Sequence, residues 1–222
     1  LFESPDEFNH YDFVRYLIDR RELPVQTLGK LTEYFEPPLY YAVSSLVIGA
    51  VPAEPYTPSV NPFFGYEAYR FGVDNKALYI HSAQEAFPYH GTTLAVHLLR
   101  GFSILLGALS LIIAFRALRE VFKRPALALG AVAIIAFNPQ FVFVSSSISN
   151  DNLIILLSML MTWLAIRIAQ SGMTMRRTLI MAVLIAAAVI GGRYVAESAV
   201  LAPARERLAA LVAHDDWLPE TF

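Results

Sequence analysis

The sequence has 222 residues, 56% of them hydrophobic and 16% charged, with no cysteine and a net charge of −2. Soluble domains run nearer about 45–50% apolar and about 25% charged, so the composition excludes an ordinary water-soluble enzyme, and the 13% aromatic content excludes a disordered chain. No disulfide framework, thiolate metal site or cysteine nucleophile is available, and the near-neutral charge points to no nucleic-acid partner.

The charge is unevenly placed. Residues 1–90 hold 12 acidic and six basic residues, net −6, whereas long apolar runs begin near Thr93. Leu1-Phe2 leads straight into acidic text without a basic, apolar leader, as expected after removal of a segment or for a start inside a longer chain.

The first predicted helix opens at Ser4-Pro5-Asp6-Glu7, with serine as N-cap, proline at the first position and acids in the first turn. Phe8, Tyr11, Val14, Leu17 and Ile18 follow at helical spacing, an apolar stripe suited to lying on a membrane surface. Pro24 ends it. Pro37-Pro38 opens a second helix, Leu39–Val51, too short to span but able to lie in the interface. Residues 52–75 read as a loop, with Pro52, Pro55, Pro58 and Pro62 and the cluster Phe63-Phe64-Gly65-Tyr66.

A membrane span takes about 20 apolar residues. Leu94–Phe115, Ala126–Ser147 (broken at Asn138-Pro139-Gln140) and Leu153–Ile168 read as spans, and Leu179–Gly192 as a fourth, shorter one. The fold class is therefore an all-α polytopic membrane protein: three to four transmembrane helices in residues 93–192, a loop with two interfacial helices in 1–92, and an amphipathic tail in 193–222. Basic residues in the loops 116–124 and 167–177 place both in the cytoplasm. Residues 1–92 and the turn Ser149–Asn152 then share the opposite, extracytoplasmic surface.

Four sets of residues there can carry chemistry. Asp6-Glu7 is an acid pair at a membrane surface, fit for a general base, or simply acids complementing a helix dipole. Glu7 and His10 form an E-x-x-H step with Asp6 on the same face, a weak divalent-metal pattern with His10 as ligand, or a surface ion pair. Glu36-Pro37-Pro38-Leu39-Tyr40-Tyr41 holds Glu36 just outside a helix, beside tyrosines that also suit an aromatic anchor. The stretch from Asn138 through Ser149-Asn150-Asp151-Asn152 puts polar groups in a broken span, which must be buried or line a cavity. Asp151 at its end is a functional suspect, although Asn150 or Asp151 equally suits a helix N-cap. Arg100, about one turn inside the first span, either snorkels, forms a structural pair, or meets a lipid-linked phosphate, with His90 and His97 on the same approach.

Taken in order, Ser4-Pro5-Asp6-Glu7-Phe8-Asn9-His10-Tyr11 with Leu23-Pro24-Val25, then Glu36-Pro37-Pro38-Leu39-Tyr40-Tyr41, then Asn138-Pro139-Gln140-Phe141 with Ser149-Asn150-Asp151-Asn152 resemble the loop motifs of polytopic GT-C-type glycosyltransferases. The nearest resemblance is to bacterial proteins like protein O-mannosyltransferases and lipid A aminoarabinose transferases, over roughly residues 3–165. It implies transfer of a sugar from a polyprenyl-phosphate donor to an extracytoplasmic acceptor, in a bacterial inner membrane. Asp6 would be the base, with Glu7 orienting the acceptor or supporting that base, and Asp151 beside the donor phosphate or an associated cation. Glu36, Tyr40, Arg100 and Asn150 complete the expected substrate-binding set. The resemblance also implies a span ahead of the acid pair and further spans beyond the fourth, so that the sequence is a fragment. A reading of another class is a non-catalytic accessory subunit of a larger membrane complex, with Arg100, residues 138–152 and the tail as subunit contacts. A transporter fits less well, because no repeated pair of broken helices is present.

Overall fold

A computed structural model of the chain describes residues 1–25, 32–52, 54, 56, 58–62, 64 and 77–197, with side chains of the last helix described to residue 187. The tail from residue 198, Pro55, Phe63, Gly65 and Tyr66 lie outside the described residues. The described elements are helical: α1 (Glu7–Arg20), α2 (Leu39–Ile48), α3 (Gly91–Val121), α4 (Pro125–Ala136), α5 (Pro139–Ser145), α6 (Asp151–Ser171) and α7 (Met175–Glu197), with a short 3-10 turn at Ala83–Glu85. Beyond these, Val60 and Tyr79 form an isolated antiparallel bridge.

Helix α1 starts later than its cap pattern predicts. The Glu7 N–H donates to the Ser4 carbonyl at 3.3 Å, so Ser4-Pro5 belong to a turn. Asp6 takes the N-cap position with φ 59° and no side-chain cap. The other end closes at Arg21, whose left-handed backbone lets its N–H donate to the Leu17 carbonyl at 3.0 Å, ahead of Pro24.

The apolar stripe of α1 does not lie bare on a membrane. Tyr11, Phe13 and Val14 are buried, with Phe8, Leu17 and Ile18 packed partly against the same core. Phe2 covers one flank, its ring 5.2 Å from Phe8 and 5.5 Å from Tyr11. Phe13 stacks on Tyr41 of α2 with ring centroids 3.9 Å apart, and the hydroxyls of Tyr40 and Ser103 bond at 3.2 Å, tying α2 to α3. The reason is aromatic content: rings this large remove more apolar surface from water by packing together than by resting singly at an interface. Helix α2, unlike α1, leaves an apolar flank open, with Leu46, Val43 and Val47 exposed.

Among the described residues two helices, Gly91–Val121 and Asp151–Ser171, are individually long and apolar enough to cross a membrane. The pair α4–α5 passes the same test of length and composition when taken together, and its 67° bend makes it a broken span or a re-entrant loop. The bend has a local cause: Pro139 removes a backbone donor, and the Asn138 side chain caps α5 by accepting from the N–H groups of Gln140 at 2.9 Å and Phe141 at 3.4 Å. The expected fourth span falls within α7. The α3 face that packs inward is built of small groups, including Ser103, Gly107, Ser110, Ala114 and Ala117. At Gly107 an added Cβ would lie 2.7 Å from the Ser145 hydroxyl, so glycine is what lets α5 approach α3 so closely. Large apolar residues on the outer faces, such as Ile104, Ile134 and Phe137, stay exposed, as a lipid-facing surface requires.

Candidate functional site

One end of this bundle, where α1 and α2 sit over the start of α3 and the α5–α6 turn, collects the residues the sequence singled out. Glu7 is fully buried. Its Oε1 accepts from Arg100 Nε at 2.9 Å and from the Ile148 N–H at 3.1 Å, and its Oε2 accepts from Arg100 Nη2 at 2.7 Å. Helix α1, the span α3 and the α5–α6 turn therefore meet on one carboxylate. A buried charge of this kind is tolerable only with such bidentate pairing and additional donors. Arg100 forms the structural pair among its three sequence alternatives, and its side chain keeps 28% exposure.

Asp6, the neighbour of Glu7, is placed differently. It is exposed, and its carboxylate makes no hydrogen bond or ion pair among the described residues. Its positive φ is uncommon for a residue with a side chain, although aspartate is among those enriched there. Adjacent acids thus divide into one that holds helices together and one that faces solvent with its proton-accepting oxygens unused.

His10, one turn further along α1, is buried, its Nδ1 2.7 Å from the Tyr41 hydroxyl. Burial holds the imidazole below its ordinary value, against the opposing pull of Asp6, Asp151 and Glu7. No group of three or more His, Asp and Glu is set to hold a metal ion among the described residues, so the E-x-x-H step has no such cluster around it.

The second and third motifs meet directly. Asn150 Nδ2 donates to Glu36 Oε2 at 2.7 Å, across 114 positions of sequence. Asn150 is free to do so because α6 is capped by Ser149 instead, whose hydroxyl accepts the Asp151 N–H at 3.2 Å. Asn150 takes the N-cap position, one of the two alternatives the sequence offers, though without a side-chain cap, and Asp151 is the first residue of the helix. Asn152, buried, fastens the turn: its Nδ2 donates to the carbonyls of Val144, Ser147 and Ser149 at 3.1, 3.1 and 3.2 Å. The sequence singles out Asn152 only as a member of the Ser149–Asn152 turn, with no role of its own, and passes over Glu33, which closes the acidic patch. Burial pushes the Glu33 carboxyl up, helped by the nearby charges of Asp6 and Glu36 and opposed by a hydrogen bond from Asn9. Glu36 is likewise pushed up by burial, with Asn150 opposing and Asp151 adding to the shift.

Asp6 and Asp151 therefore lie within electrostatic reach of His10, and Glu33, Glu36 and Asp151 within reach of Tyr41. Tyr40 and Asn150 also open onto a cavity of about 240 Å³ that continues between α6 and α7 past Leu153, Leu157 and Met161. It is a polar mouth over an apolar trough. His97 and His90 are set apart from this cluster. His97 stacks on Tyr89 at 3.8 Å and bonds through Nδ1 to the Thr93 carbonyl at 2.8 Å, while His90 borders a separate cavity with Glu54 and Tyr56.

Compared with known proteins, residues 26–201 match the family model described as dolichyl-phosphate-mannose-protein mannosyltransferase. No curated protein and no solved structure matches the chain. The matched range takes in Glu36, Tyr40, Arg100, Asn150 and Asp151 and starts after Asp6, Glu7 and His10. An all-helical chain with apolar spans and a match over most of its length belongs to the dolichyl-phosphate-mannose-protein mannosyltransferase family, whose members are membrane glycosyltransferases using a lipid-linked sugar donor.

Proposed function

We propose that this chain carries the reaction centre of a glycosyltransferase that moves a sugar from a polyprenyl phosphate to an acceptor on the extracytoplasmic side of a bacterial inner membrane, with Asp6 as general base. The observation that carries this reading is the division of labour in the acid pair: Glu7 is saturated by Arg100 and the Ile148 N–H, whereas Asp6 is exposed and its carboxylate has no partner among the described residues.

In the proposed reaction Asp6 accepts the proton of the acceptor group as its oxygen or nitrogen attacks the anomeric carbon. The bond from that carbon to the phosphate oxygen breaks, and polyprenyl phosphate departs with the electron pair. The trough along α6 suits the apolar chain of the donor, and a phosphate at its Tyr40–Asn150 mouth would have Glu36, the partner of Asn150, and the adjoining Asp151 as neighbours. Acids alone would repel that phosphate. Arg100 spends Nε and Nη2 on Glu7 and keeps Nη1 without a partner among the described residues, leaving one guanidinium edge for the departing oxygen.

The test is transfer from a polyprenyl-phosphate sugar by the purified native protein and its Asp6→Asn variant. Loss of transfer by at least about a hundredfold, the usual scale of a general base, with unchanged membrane insertion is the expected result. Transfer retained in pure Asp6→Asn protein would overturn the assignment.

A further inference from the structure

The end of the bundle away from the acid cluster holds another cavity, of about 450 Å³, between α6 and α7. Position 167 lies about 24 Å along α6 from Asp151, at a rise of about 1.5 Å per residue, so this cavity is separate from the proposed reaction centre. Arg167, Arg176 and Arg177 line one part of it, and Leu160, Leu164 and Leu184 another.

The three guanidiniums are poorly neutralised. Arg167 meets one carboxylate, Glu120, at 3.5 Å. Arg177 donates to the backbone carbonyls of Arg167 at 3.2 Å and Gly172 at 2.5 Å, neither of which carries a charge. Arg176 is exposed and has no partner among the described residues. The wall also contains Trp163, whose ring lies under the guanidiniums of Arg116 at 5.9 Å and Arg167 at 5.7 Å. These cation–π contacts hold two cationic side chains close together beside the cavity, and the indole N–H is buried with no acceptor among the described residues.

We infer that this cavity binds the phosphodiester headgroup of an anionic glycerophospholipid, with its acyl chains against the leucine wall. Charge sets the headgroup class, since clustered arginines favour a net-negative phosphate over a zwitterionic one. The apolar wall continuing from the basic rim sets the source, since a free phosphate would leave that surface unused. The assignment is independent of Asp6 and of the transfer reaction.

Trp163 supplies the readout. Within these 222 residues Trp217→Phe leaves it the sole tryptophan. The delipidated protein in zwitterionic detergent is titrated with short-chain phosphatidylglycerol, phosphatidylcholine and inorganic phosphate while indole emission is followed. The expected result is a saturable change with phosphatidylglycerol at the lowest concentration, weakened about tenfold by Arg176→Gln, as for loss of one charge-assisted hydrogen bond. Arg124→Gln, which removes a basic residue not lining the cavity, should leave the titration unchanged. Equal responses to phosphatidylcholine and phosphatidylglycerol, or equal losses in the two arginine variants, would overturn the inference. Saturation by inorganic phosphate at the same concentration as by phosphatidylglycerol would overturn the lipid source.

Discussion

Glu7 and Arg100 lie 93 positions apart and share two hydrogen bonds, Nε to Oε1 at 2.9 Å and Nη2 to Oε2 at 2.7 Å, with the carboxylate fully buried. The pair fixes α1 to the first span, and the Ile148 N–H on the same oxygen adds the α5–α6 turn. It follows that Glu7→Ala strands a part-buried guanidinium. Its expected cost is about 3–5 kcal/mol, the scale for removing one member of a buried pair. The double variant Glu7→Gln with Arg100→Gln should be less destabilised than the sum of its single variants. Thermal unfolding of the four proteins in one detergent checks this. Additive losses would show that the two side chains are not coupled.

Asp6 presents its carboxylate from a left-handed backbone, φ 59°. Such a conformation costs a residue with a Cβ about 1–2 kcal/mol and glycine almost nothing. Asp6→Gly should therefore unfold at a higher temperature than Asp6→Ala, by the equivalent of about 1 kcal/mol. Asp6→Asn should match the parent protein, which makes it the suitable variant for activity measurements. An Asp6→Ala protein as stable as Asp6→Gly would contradict the backbone geometry.

His10 gives the stability a pH dependence with a definite sign. Burial lowers its folded value below the ordinary 6.5, so the unfolded chain binds the extra proton first as the solution is acidified. The contribution of neutral His10 is then complete above about pH 6.5 and is lost progressively as the pH falls towards the lowered value. Glu33 and Glu36, pushed upward, act oppositely: between 4.5 and their raised values the folded state binds more protons, and stability falls as the pH rises. Measuring unfolding across pH for the parent and for His10→Gln separates the two. The difference between the proteins should shrink on acidification through 6.5, and a pH-independent difference would refute the role given to His10.

Gly107 lets α5 cross close to α3. A Cβ there would stand 2.7 Å from Ser145 Oγ and 2.9 Å from Ser145 Cβ. Gly107→Val should push α5 from α3 and destabilise by about 1–3 kcal/mol, the range for overpacking. Gly101, which has nothing within 4 Å of an added Cβ, should accept alanine without loss. Similar unfolding of the two variants would remove the argument for a close crossing.

Much of the architecture was legible from residue order alone. Hydropathy over about 20 residues marks a span whatever its neighbours do, so α3 and α6 contain the predicted segments. Asn138-Pro139 marked the bend because a missing N–H acts locally. The acid pair, the Glu36 motif and the Asn150–Asp151 turn were identified as one surface from basic residues in the intervening loops, and the structure brings the three motifs together. Glu33 was not legible, since a lone glutamate in a polar segment carries no spacing signal. Asn152 was not either, because its importance lies in three carbonyls that only the folded turn presents.

Composition and local pattern thus determined a helical membrane chain with an acidic, aromatic segment set against its spans. Tertiary structure decided what the individual polar residues do. Asp6 and Glu7 are chemically near-equivalent neighbours in sequence, and the positions of Arg100, 93 residues away, and of the Ile148 N–H make one a buried tie while the other stays exposed. The physical reason is range: hydrophobic periodicity and backbone propensity act within a few turns of chain, whereas the pairing of buried charges is set by which groups the packed helices bring within 3 Å of one another.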